Sequence, residues 1–175
     1  MLTAPPVVLA LLVLAITAVA AVSDLRTGLI PNTLTFGALG VLFVAQLVFN
    51  GLQGGAIAAL TGLLFASLIP LLLYIARGLG GGDLKLMAAC GVGLGPLLGM
   101  EAQMIAFSVG CLYAVGKAIY SGMLWQTLRG TTFVLTNAIT PLGKRRDLPE
   151  SVTAPVRFAP FIFVGVLFTV LGHLT

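Results

Sequence analysis

Six apolar runs succeed one another along this chain with short polar breaks between them, at about 3–22, 33–50, 55–76, 85–98, 101–121 and 156–174. Most approach the roughly 20 residues that a helix needs to cross a bilayer. Charged residues make up only 8% of the chain, where a soluble domain carries about 25%, so the runs belong in lipid. The expected fold is all-α: a polytopic membrane protein of about six transmembrane helices, forming one domain over residues 1–175.

The fourth run, 85–98, is short. At about 1.5 Å per residue it spans only where the bilayer thins or other helices pack around it. Gly91, Gly93, Gly95 and Gly99 give it a smooth surface suited to close approach. The first run ends in small residues, Ala18 to Ala21, like a signal-peptidase site, but Met1 to Val8 contains no Lys or Arg. A secretory signal begins with a positive segment, so this run is expected to stay as the first helix.

Positive charge orients the bundle. With the N-terminus outside, the inner segments 23–32, 77–85 and 122–155 hold Arg26, Arg77, Lys85, Arg129, Lys144, Arg145 and Arg146, whereas the outer segments 51–54 and 99–100 hold no Lys or Arg. That asymmetry predicts N-out and C-out. Segment 122–155 mixes Leu124, Trp125 and Phe133 with Gln126, Arg129 and Asn137, a pattern suited to the membrane surface. The net charge of +4 is scattered over membrane edges, so no nucleic-acid partner is expected. Cys90 and Cys111 lie in apolar runs without CxxC spacing or a histidine companion, which suggests packing and neither metal nor disulfide.

The acidic residues are Asp24, Asp83, Glu101, Asp147 and Glu150. Asp147 and Glu150 sit in the basic inner segment, and Glu101 is expected to begin a helix, where a negative charge favours the dipole. Asp24, placed after helix one, and Asp83, placed before helix four, instead fall at the same membrane edge. Acidic groups there are costly and usually face a wet or protein interior. The plainer alternative is that Asp24 pairs with Arg26 or caps a helix, while Asp83 caps helix four. Gly80-Gly81-Gly82 before Asp83 suggests a backbone free to adopt φ > 0 and lie against an extended peptide. The phosphate-loop pattern GxxxxGK[ST] is absent. Two neighbouring carboxyls share one proton, so one can activate water while the other protonates a carbonyl. Their order is open, because the titration belongs to the pair.

Ser23 to Thr35, with Asp24 followed by Ile30-Pro31-Asn32, and Gly80-Gly81-Gly82-Asp83-Leu84-Lys85-Leu86 resemble the D-x5-I-P-N and GxGDxKL segments of the type IV prepilin peptidases, membrane aspartic proteases of the GxGD type. Arg157 to Gly165 is similar to that family's last-helix PxGPFL segment, with Ala159 in place of glycine, and no residue there is assigned to substrate. The resemblance implies that Asp24 and Asp83 are catalytic and that Gly80 and Gly82 shape the loop around the second. It implies no cofactor or metal, and cleavage of class III signal sequences of prepilins or pseudopilins at the cytoplasmic face of the bacterial inner membrane. Lys85 either attracts an acidic group on the substrate or marks topology, and Pro31 and Asn32 set a tight start to helix two. No cysteine-bearing insert follows the first helix, which looks like the compact peptidases of tight-adherence pili without a methylase. The alternative is a non-enzymatic membrane subunit or scaffold of a pilus or secretion system. An intramembrane protease of the presenilin kind would carry its aspartates deeper in the helices.

Overall fold

Glycine and proline, rather than polarity, set the helix ends. The structure is a computed structural model and describes residues 7–122 and 157–174. In chain order these form α1 (Val7–Thr27), α2 (Asn32–Asn50), α3 (Leu52–Ile75), α4 (Gly81–Leu94), α5 (Pro96–Tyr120) and α6 (Ala159–Leu174), with no strand among the described residues. Segment 123–156, including the stretch expected to lie along the membrane surface and Lys144 to Arg146, lies outside them.

Several expected boundaries move. Helix α1 runs on through Ser23, Asp24 and Arg26, since a helix needs closed backbone bonds more than apolar side chains. It stops at Gly28, whose φ of 71° turns its N–H onto the Asp24 carbonyl at 2.9 Å, the αL form of helix end. Asp24 is thus in the last turn of α1 and not after it. Helix α4 begins at Gly81, so Asp83 is its third residue and not ahead of it. It ends at Leu94 because Gly95 has φ 80° and Pro96 opens α5, where a missing N–H costs nothing. Glu101 consequently lies in the second turn of α5 and does not begin it; His173 Nε2 near the end of α6 lies 2.9 Å from its carboxylate. The turn after α3 carries Arg77 at φ 63°, with Gly78 N–H bonded to Leu73 C=O at 2.8 Å, a Schellman end in which Arg stands where glycine is usual.

Helix α4 is the axis of the bundle. Every residue from Leu86 to Leu94 is buried, and α1, α2, α3, α5 and α6 all pack against it. Its 14 residues are thus accommodated by surrounding protein. Helices α1, α2, α3 and α5 are long and apolar enough to cross a membrane, while α4 and α6 are shorter. Their outward faces carry exposed Val19, Val41, Leu64, Leu112 and Phe168, which only lipid can cover at low cost. The chain is an all-α, multi-pass membrane protein.

Small residues let the backbones meet. A Cβ placed on Gly62 of α3 would lie 2.0 Å from the Gly91 carbonyl of α4, and one on Gly91 would lie 2.3 Å from Ala66 Cβ. Buried glutamines serve carbonyls that the helices leave free. Pro70 lacks the N–H that would bond Ala66 C=O, and Gln103 Nε2 of α5 donates there at 2.5 Å. Gln46 Nε2 of α2 donates to Val92 and Gly93 C=O in the last turn of α4, both at 3.0 Å. Cys90 packs in the core as expected, whereas Cys111 faces outward.

Candidate active site

The turn between α1 and α2 is tied by its own hydroxyls. Ser23 Oγ donates to Leu29 C=O at 3.0 Å, and Thr27 Oγ1 donates to Ser23 C=O at 2.9 Å while accepting Leu29 N–H at 3.3 Å. These bonds deliver Ile30 onto the first turn of α4, where a Cβ on Gly82 would lie 3.2 Å from Ile30 Cβ. Helix α2 then starts after Pro31, whose carbonyl accepts Leu34 and Thr35 N–H.

Asp83 reaches back from the third position of α4 and accepts the Gly80 N–H, the acidic half of a capping box. The capping role expected on the plainer reading is therefore real. A Cβ on Gly80 would lie 2.9 Å from Asp83 Oδ2, so any larger residue would push the carboxyl away. The glycine run is not the φ > 0 loop expected from the sequence: Gly80 is extended at φ −72°, and Gly81 and Gly82 are helical. Their lack of side chains makes room for Asp83, Ile30 and the Tyr74 ring, the last 3.4 Å from a Cβ on Gly81.

Asp24 is 5% exposed, and its Oδ2 accepts the N–H of Ala159 at 3.2 Å. Ala159 is the first residue of α6, so this N–H has no partner within its own helix and carries the positive end of the helix dipole. Arg157, just before it, donates to the Leu25 carbonyl. The stretch around Ala159, left unassigned on its unusual sequence, thus lies against Asp24. Pro160 in the first turn of α6 was the available signal, since it marks a helix start whose free N–H groups seek an acceptor.

Asp83 stands at the polar edge ahead of the apolar stretch 85–98, and its carboxyl is pushed up from 3.8 to about 7. Burial is the larger cause, the negative charge of Asp24 the second, and the Gly80 N–H opposes both. The two aspartates therefore feel one another. Among the described residues no third His, Cys, Asp or Glu joins them. Of the other candidates, Gly80 and Gly82 touch the site as described, and Lys85 faces α2, its Nζ 2.7 Å from Asn32 Oδ1 and 4.8 Å from the centre of the Phe36 ring.

The fold is thus a multi-pass helical bundle that brings two carboxyls within electrostatic reach of one another at one end, an arrangement of the kind that acid–base chemistry requires. The chain belongs to the type IV leader peptidase family, which it matches over residues 11–115, a span that includes both aspartates but ends before α6. It is 30% identical over 155 residues to the prepilin leader peptidase/N-methyltransferase of Bacillus subtilis (strain 168), a match covering 87% of this chain. The chain spans about half of that relative's length, 51%. No solved structure matches it significantly.

Proposed function

We propose that this protein is an endopeptidase that removes the class III leader of prepilins or pseudopilins at the cytoplasmic face of the bacterial inner membrane, with Asp24 and Asp83 as the catalytic pair. The observation that carries this reading is the coupling of two carboxyls from distant parts of the sequence, one tied to the start of α6 and one to the start of α4. Burial, with the Asp24 charge second, pushes the Asp83 carboxyl up to about 7, so Asp83 is assigned the part of the acid. Asp24 takes a proton from water as the water oxygen attacks the scissile carbonyl carbon, and Asp83 gives its proton to the carbonyl oxygen. Collapse of the tetrahedral intermediate then breaks the C–N bond: the proton that Asp24 took from water goes to the leaving amine, and one hydroxyl of the diol returns its proton to Asp83 as the carboxyl product forms.

The sign of the pH dependence follows. An acid raised to about 7 is protonated below that value and loses its proton above it, so kcat/KM should fall about tenfold per pH unit on the alkaline side. A purified chain in vesicles, cleaving a prepilin between pH 5 and 9, tests this; a flat rate from pH 6 to 9 would remove Asp83 as the acid. The N-out topology is tested separately. In a background without Cys90 and Cys111, Gln53→Cys, in the exposed turn at the start of α3, should react with an impermeant thiol reagent added to intact cells. Protection of that site would reverse the orientation.

A further inference from the structure

Lys85 is a candidate residue whose role the sequence leaves divided between substrate and topology, and its side chain is engaged within the protein. Its Nζ donates to Asn32 Oδ1 at 2.7 Å and lies 4.8 Å from the centre of the Phe36 ring. A cation held by an amide oxygen and an aromatic face is fixed at two points. Both partners are in the first turns of α2, and Asp83 is in the first turn of α4, two positions before Lys85. Ahead of Asn32, Ile30 is seated on Gly82. Ahead of Ile30, Gly28 bonds the carbonyl of Asp24 itself at 2.9 Å. The short stretch of chain from Asn32 back to Gly28 therefore joins the Lys85 contact to the backbone of the other aspartate, with Ile30 seated on α4 between them.

We propose that Lys85 is a positioning residue: by clamping Asn32 and Phe36 it holds the turn between α1 and α2 on the first turn of α4, and so sets the separation of Asp24 from Asp83. The inference rests on the peptidase reading above. It gives Asn32 a specific part as the acceptor in the clamp, and it needs no contact between Lys85 and substrate.

The test uses the full chain in phospholipid vesicles with a prepilin substrate, in four variants: Lys85→Met, Asn32→Ala, the two combined, and Lys85→Arg. Methionine keeps an apolar stem on Phe36 and loses the donor. Asn32→Ala loses the acceptor while leaving Lys85 and every charge in place. Each single change should lower kcat about 10- to 100-fold with KM within about twofold, because a misplaced group costs rate more than binding. The combined variant should be no worse than the poorer single one, since both remove the same contact. Lys85→Arg, which keeps a cationic donor, should recover most of the rate.

A second readout separates geometry from charge. Loosening the clamp wets Asp83 and draws it from Asp24, which relieves both causes that push its carboxyl up, so the alkaline limb of Asn32→Ala should move to lower pH. If Lys85 instead bound an acidic group of the substrate, Lys85→Met would raise KM while Asn32→Ala kept wild-type kcat, KM and pH profile. That pattern overturns the inference and leaves the peptidase reading intact. A wild-type chain that processes no prepilin sinks the reading and the inference together.

Discussion

Asp24→Asn and Asp83→Asn are each expected to lower prepilin processing by about 10²- to 10⁴-fold, the range that a positioned acid or base contributes. Asparagine is nearly isosteric with aspartate, so the change removes proton transfer while keeping shape. At position 24 the amide oxygen still accepts the Ala159 N–H, and at position 83 it still accepts the Gly80 N–H, so both caps survive. The double variant should be no slower than either single one, since residues that act as one unit lose their effect together. Mass measurement of the pilin N-terminus in cells expressing each variant gives the cleaved fraction directly. Wild-type processing by either variant, at equal membrane content, would refute the pair.

The largest effect on stability is expected at the meeting of α3, α4 and α5. Gly91→Ala would put a methyl group 2.3 Å from Ala66 Cβ and 2.3 Å from the Gly62 carbonyl, and Gly62→Ala would put one 2.0 Å from the Gly91 carbonyl. These neighbours are backbone or a short side chain and cannot swing aside. Helices must separate, at a cost of at least about 1–3 kcal/mol per site, the range for overpacked cores. Gly37→Ala and Gly40→Ala on α2 meet nothing within 4 Å and serve as controls. Thermal unfolding in detergent should show a clear drop in Tm for the first pair and none for the second. Equal Tm values in all four would mean that α3 and α4 do not approach as closely as described.

Much of this arrangement was legible in the sequence because lipid imposes a simple rule. The apolar runs found all six described helices, and the two aspartates expected at one edge do lie close enough to influence one another. The helix ends were not legible. Hydropathy reports which residues tolerate lipid, whereas α1 continues through Asp24 until Gly28 gives it a left-handed stop. For the same reason Gly95-Pro96 divided what looked like one run and moved Glu101 away from a helix start.

The glycines at 80–82 do not adopt the conformation expected of them; what they supply is space, and the groups that fill it are Asp83 of α4 itself, Ile30 from the α1–α2 turn and Tyr74 of α3. The part played by Ala159 was hidden because it acts through its backbone N–H, to which the side chain gives no clue. Lys85 had two open readings because its partners, Asn32 and Phe36, are far from it in sequence.

From Leu86 to Leu94, α4 is buried among the other helices and has no face that meets acyl chains, so changes in bilayer thickness cannot press on that stretch directly. The outer helices take that load. The core stretch that carries the Asp83 turn is thereby isolated from membrane composition, much as a shaft is isolated by its bearing.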